Sequence, residues 1–220
     1  MDYHLLPHVS FGFVDDRAVA LDLRTDRYFM IAAAETSALR SAGIEGKGSV
    51  NGAGIDALVR RRLIGKGSGP AIGPVVAAPL SRSALEVEAN GRRIGWPEIA
   101  LVRAQAGLSL RFLGLQRTLA RWQRLRLRYR SRMPPQDVER AAMEFAQGFA
   151  DARLLLPAKT LCVPDSLTLA CILWRRGIDA DVYFGVRLAP FLAHAWVQRG
   201  DMLLSDTLNT VGEYTPVFRL

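Results

Sequence analysis

The chain has little cysteine and little histidine: two and three residues among 220. Two cysteines with no CxxC pair rule out a disulfide framework and a zinc site of the structural kind. No uninterrupted apolar run reaches the ~18–20 residues that would span a bilayer. The opening MDYHLLPHVSFGF lacks the basic segment and small-residue cleavage site of a secretory signal. A cytoplasmic protein without a membrane partner is expected. There is no GxxxxGK[ST] phosphate loop, so no nucleotide cofactor is expected, nor any other cofactor. Acidic residues are missing altogether from Leu101 to Arg132, a stretch that holds nine arginines.

What is present is the composition of a core-forming protein, 50% hydrophobic and 23% charged, with net charge +8 and an isoelectric point near 10.2. The basic balance favours anionic partners without specifying a fold. Short aliphatic and aromatic runs in HVSFGFVDD and RAVALDLRTDRYFMI, separated at Asp15-Asp16 and Arg24–Asp26, predict three strands. Helices are predicted over Ala34–Ser41 and Ile55–Leu63, each closed by a glycine. Residues 1–66 thus read as one small α+β module. Gly65–Pro79 holds seven Gly or Pro in fifteen residues, so 67–96 is read as a linker, with a short extended piece around Asn90-Gly91. Residues 97–220 form the second domain. Its first helix, Pro97–Arg132, carries a predicted core stripe of Leu101, Leu108, Phe112, Leu115, Leu119 and Trp122, and Pro134-Pro135 ends it. A helix over Pro135–Leu155, the helix TLCVPDSLTLACILWRRG, and the strands DADVYFGVRL, HAWVQ and MLLSD follow.

Cys162 stands at a helix start. Pro164 suits the first turn, Asp165 places an acid where the helix dipole favours one, and Arg175-Arg176-Gly177 is a helix end. That position lowers a thiol pKa, and the unpaired N–H groups there can receive a developing oxyanion. Cys171, nine residues on, points to nearly the opposite face and reads as a small core hydrophobe. A nucleophilic thiol needs a base. His4 and His8 lie across the linker, whereas His194 opens a strand in the same domain, and MLLSD ends in Asp206. A three-residue hairpin loop, Arg199–Asp201, would set His194 opposite Asp206. A two-residue loop would set it opposite Thr207 and turn Asp206 to the other face. No CxxC or HxxxH pairing accompanies Cys162, His194 and Asp206, so a metal centre is not expected there. Gln147 and Gln136 are amides available as oxyanion donors that the sequence does not place.

The run CVPDSLTLACILWRRGIDADVYFGVRLAPFLAHAWVQRGDMLLSD, from Cys162 to Asp206, resembles the C-terminal half of the lasso peptide biosynthesis B proteins, which are transglutaminase-like cysteine proteases. The matching pieces are Cys162 with Asp165-Ser166-Leu167, Arg175–Ile178, Gly185–Arg187, Ala193–Val197 and Asp206. The resemblance implies that Cys162 attacks, His194 carries the proton and Asp206 orients the imidazole. It also implies that the chain acts in the bacterial cytoplasm. Residues 1–65 resemble the PqqD-like leader-recognition domain, through their element order and the DLRTDRYFMI hairpin. That likeness implies docking of an extended leader peptide along Arg27, Tyr28, Phe29, Met30 and Ile31, with Leu58 and Arg61 of the following helix beside it.

The expected fold is therefore α+β: a PqqD-like three-strand/helix module, then a papain/transglutaminase-like cysteine protease domain. The expected partners are a lasso precursor peptide and an ATP-dependent, asparagine-synthetase-like lasso cyclase, with no nucleic acid. Two alternatives are a transglutaminase-like acyltransferase using the same acyl-enzyme, and a non-catalytic scaffold binding peptide or nucleic acid through its basic helix. An apolar stripe packed against the core argues against the second.

Overall fold

Asp15 and Asp26 adopt left-handed backbone, with φ of 52° and 53°, at the two turns that fold the start of the chain into strands. The computed structural model describes residues 2–45, 52–87, 94–129 and 135–220. The chain divides into two units. One comprises residues 1–77, 186–192 and 215–218; the other comprises 78–185, 193–214 and 219–220.

In the first unit, β1 (Tyr3–Leu5) is followed by a meander of β2 (Val9–Val14), β3 (Arg17–Asp22) and β4 (Arg27–Met30). Register runs from Val9↔Asp22 to Val14↔Arg17 and from Val19↔Met30 to Asp22↔Arg27, which leaves β4 at an edge of its sheet. Helices α1 (Ala33–Glu45) and α2 (Ala53–Arg60) follow, then β5 (Ile64–Lys66). Phe11, Ala20, Leu39, Ile55, Leu58 and Ile64 share one core. Burying each of the larger side chains contributes about 1.5–3 kcal/mol. Three strands and two helices occur in the expected order. The pairing of β1 with β5, Tyr3↔Lys66 to Leu5↔Ile64, was not foreseen. Its partners are some sixty positions apart and only three residues long, so no alternation announces them. The Gly/Pro-rich stretch has no helix or strand after Lys66, yet it is tied down: Leu5 N–H donates to Pro70 O, and Val75 N–H to Phe11 O.

After residue 77, β6 (Arg82–Ser83) precedes three helices, α3 (Trp96–Arg128), α4 (Pro135–Leu154) and α5 (Cys162–Arg175). Then come β7 (Asp181–Leu188), β8 (Phe191–Arg199), β9 (Met202–Leu203), the short α6 (Leu208–Val211) and β10 (Thr215–Arg219). The sheet order is β10-β7-β8-β9-β6, with β6 parallel to β9. Helix α5 is buried continuously from Ser166 to Trp174, as its nearly all-apolar sequence requires. Trp122 Nε1–H donates to Leu167 O at 3.1 Å, and Arg176 pairs with Glu98 at 2.8 Å, so α3 and α5 are pinned at both ends. Arg126 bridges Asp179 and Asp181 at 2.8 Å each.

The stripe along α3 is corrected by the structure. Leu115, Leu119 and Trp122 are buried, but Leu101, Leu108 and Phe112 are 60%, 56% and 73% exposed. The core face of the first half is Ile99, Val102, Ala106 and Ser109. Gly114 is the reason. Its φ of 73° breaks the helix and resets the phase, so residues in register before it are out of register after it. Packing of the whole stripe therefore no longer argues against a binding role for this helix. The arginines are partly structural, since Arg103 and Arg126 are held in ion pairs. The predicted turn at Asn90-Gly91 and the stop at Pro134 lie outside the described residues. No helix among the described residues is long and apolar enough to cross a membrane.

Candidate active site

Leu161 is extended (φ −133°, ψ 118°), and the chain turns helical at Cys162. Leu161 carries no side-chain cap, and the work falls to Asp165. Its Oδ2 accepts the Leu161 N–H at 2.9 Å, while its backbone N–H donates to Leu161 O at 3.0 Å. The first-turn N–H groups have no acceptor within the helix, so the thiol sits at the positive end of the dipole.

Two arginines fix the approach to this turn. Arg103 Nε donates to Asp165 Oδ1 at 2.6 Å and Arg153 Nε to the same oxygen at 3.1 Å, with all three side chains largely buried. Arg153 also donates to the carbonyls of Ala158 and Lys159, and Arg103 to that of Lys159. The segment just before Cys162 is thereby clamped from two helices.

The strand bearing the histidine is β8. Its hairpin partner corrects the expected register: Arg199 pairs with Met202 and Gln198 with Leu203, a two-residue Gly200-Asp201 loop with Gly200 at φ 58°. Continued regularly, that register would set Asp206 on the wrong face. It does not continue, because β9 ends at Leu203. Val197 N–H finds Ser205 Oγ, at 2.9 Å, instead of a backbone carbonyl, and the chain bends through Leu204–Asp206. Asp206 thus reaches the imidazole by a break in pairing. His194 Nε2–H donates to Asp206 Oδ1 at 3.0 Å, and Ser205 Oγ–H donates to Asp206 Oδ2 at 2.5 Å.

Cys162, His194 and Asp206 line one cavity of about 280 Å³, whose walls include Leu85, Phe149, Ala150 and Leu204. Its surface is mainly apolar. Burial alone would raise the Cys162 thiol. Hydrogen bonds from His194 and from the N–H groups of Ala195 and Val163, with the imidazolium charge, hold it below its ordinary value. For His194, burial would lower the pKa, but its bonds to Asp206 and Cys162 lift it to about 9. Both directions favour a thiolate–imidazolium pair at neutral pH. Such a pair can attack a carbonyl carbon and return a proton to the departing group. By contrast, Cys171 is 2% exposed and its thiol is pushed up by burial.

A family model described as the transglutaminase-like superfamily matches residues 106–219, just over half of the chain. The chain belongs to the transglutaminase-like superfamily. A 51-residue segment is also 41% identical to the Microcin J25-processing protein McjB of Escherichia coli, covering 23% of this chain. The chain spans about a quarter of that relative's length. No solved structure matches it.

Around the site several contributors escaped sequence reading. Ser205 sits beside Asp206 in sequence but reads as an ordinary strand serine. Tyr214 places its ring 5.4 Å from that of His194. Ser166 Oγ–H ties α5 to β8 through Ala195 O at 2.9 Å, and Ser83 Oγ–H donates to Asp206 O at 2.6 Å. None of these has a spacing signal, since each acts across elements. The Arg103–Asp165 pair joins residues 62 positions apart. Gln147 is not a donor to the cavity, because its amide is engaged by Ala84 O and Val87 O. The side chain of Gln136 lies outside those described. Among the described residues no cluster of His, Cys, Asp or Glu could hold a metal.

The first-unit residues singled out from the sequence fall into two groups. Arg27 and Met30 are exposed, and Tyr28 and Phe29 are half-buried along edge strand β4. Ile31 and Leu58 are core residues, 5% and 0% exposed, so neither side chain offers a surface. Arg61 pairs with Glu35 at 2.5 Å and lies over the Phe29 ring at 5.2 Å.

Proposed function

We propose that the chain is a cysteine peptidase of lasso peptide maturation. It holds a precursor peptide by its leader through the first unit, and it cleaves leader from core in the second. The observation that carries this reading is the hydrogen-bonded arrangement of Cys162, His194 and Asp206 on the wall of a mainly apolar cavity. The superfamily match and the McjB-like segment support it. In this reading the Cys162 thiolate adds to the carbonyl carbon of the last leader residue. The C–N bond breaks as His194 protonates the departing core amine. Water, deprotonated by His194, then hydrolyses the thioester, so that leader leaves as a carboxylate and Cys162 is restored. Asp206 keeps the imidazole oriented throughout. The freed core amine suits an ATP-dependent cyclase partner that joins it to an acidic side chain.

Docking by strand addition to β4 fits a first unit that resembles a PqqD-like module, since the outer edge of β4 has no strand partner among the described residues. Carrying both functions in one chain raises the effective concentration of the scissile bond at the thiol. The test is incubation of the whole chain with a short precursor peptide encoded beside its gene, followed by mass spectrometry. Wild type should yield a leader carboxylate and a core with a free amine, and Cys162→Ala neither, while still binding the precursor. Equal cleavage by the variant rejects the nucleophile. A leader amide formed in added methylamine would instead identify acyl transfer as the reaction.

A further inference from the structure

Beside β4 the first unit has a second cavity, about 320 Å³, lined by His8, Asp22, Arg24, Phe29, Arg61 and Arg62, with Leu63. Its lining carries three guanidiniums against one carboxylate, an excess of positive charge. The Asp22 carboxylate is occupied at both oxygens, by the Arg24 N–H at 2.9 Å and the Thr25 hydroxyl at 3.0 Å. Arg61 is neutralised by Glu35, whose carboxylate also caps the Ala32 N–H. Arg24 and Arg62 have no carboxylate within ion-pair distance among the described residues. His8 is held below its ordinary pKa, first by burial and then by Arg24, with the Asp22 carboxylate opposing them.

Arg62 is placed there against the preference of its backbone. Its N–H donates to Val59 O and the Leu63 N–H to Leu58 O, the paired bonds of a helix stop whose central residue is left-handed. Glycine is favoured at such a position, yet Arg62 occupies it with φ 56°. An arginine kept at a strained site on the wall of a cavity points to a use for its guanidinium. Side chains alternate along β4. Tyr28 stands edge-on against Phe191 with ring centroids 6.0 Å apart, while Phe29 faces the cavity.

We propose that this cavity receives the carboxylate of an acidic side chain, Asp or Glu, on an extended peptide paired to β4, with Arg24 and Arg62 as its charge partners. This rests on the docking reading above and adds the side-chain class that selects the peptide, which strand pairing alone does not supply. A guanidinium recognises a carboxylate through two parallel hydrogen bonds, so an amide of the same shape is a poor substitute.

The experiment selects a random displayed peptide library on the full-length chain and maps each selected peptide by hydrogen exchange. Selected peptides should slow exchange in β4 and share an acidic residue at one position. Its change to the amide should weaken Kd about tenfold. In Arg62→Gly, which relieves the backbone, the melting temperature should hold or rise while discrimination between acid and amide disappears. Arg24→Gln should reduce it too, and serves if the glycine variant fails to fold. Protection of β4 without an acidic preference, or a preference that survives both variants, overturns the inference and leaves docking intact. Selected peptides that leave β4 exchange unchanged overturn both.

Discussion

Replacing Asp206 with Asn keeps the size of the side chain and removes its charge, which tests whether that carboxylate sustains the thiolate–imidazolium pair. The rise of His194 from 6.5 to about 9 corresponds to about 3 kcal/mol of preference for the protonated ring. Burial opposes that rise, so Asp206 and Cys162 must supply more than the net. A unit charge about 4 Å away contributes about 4 kcal/mol at an effective dielectric near 20. Asp206, 3.0 Å from Nε2, can therefore supply about half of the gross effect or more. The variant should lower the imidazole pKa by about one unit or more. Because the two groups share one equilibrium, thiolate formation should move up by a similar amount. The assay is iodoacetamide labelling of the intact protein across pH, read by mass spectrometry at Cys162, with buried Cys171 as the internal control. Below the wild-type thiolate midpoint the variant should label about tenfold more slowly, and near pH 10, where any thiol ionises, at the wild-type rate. Coincident labelling curves across the acid limb in a folded variant would refute the reasoning. The same pair sets the wild-type cleavage profile. Activity should fall as pH rises through about 9, where the imidazolium loses its proton, and fall again on the acid side as the thiolate is protonated.

Ser205→Ala should lower kcat about tenfold with little change in KM, since it frees Asp206 to rotate; rescue by Ser205→Thr separates positioning from bulk. Asp165→Asn leaves Arg103 and Arg153 facing each other without their shared carboxylate, and should destabilise the fold by about 2–4 kcal/mol in denaturant titration. A loss under about 1 kcal/mol would remove the clamp from the account of the site. Gly114→Ala meets no atom within 4 Å, so its cost is purely that of a backbone (φ 73°, ψ 174°) which only glycine adopts readily, about 1–3 kcal/mol. A variant as stable as wild type would mean that α3 runs through this point unbroken.

The chain's own order of residues was enough to announce Cys162 at a helix start, the meander and its turns, and the buried character of α5. These features are local: they depend on turn residues, period and dipole within a few positions. The resemblance of the run from Cys162 to Asp206 added the superfamily before any fold was seen. Where interpretation failed, the cause was non-local. One glycine at φ 73° shifted which face of α3 meets the core, and nothing in its neighbours marks that glycine as left-handed rather than helical. The hairpin loop is one residue shorter than expected, so a strict ladder would have turned Asp206 away. Only the early end of β9, with a serine hydroxyl taking a carbonyl's place, restores it to His194. Sequence determined which chemical groups this protein possesses and the elements that carry them. Tertiary structure decided their meeting, because contacts between residues distant in the chain depend on where pairing stops and how helices change phase.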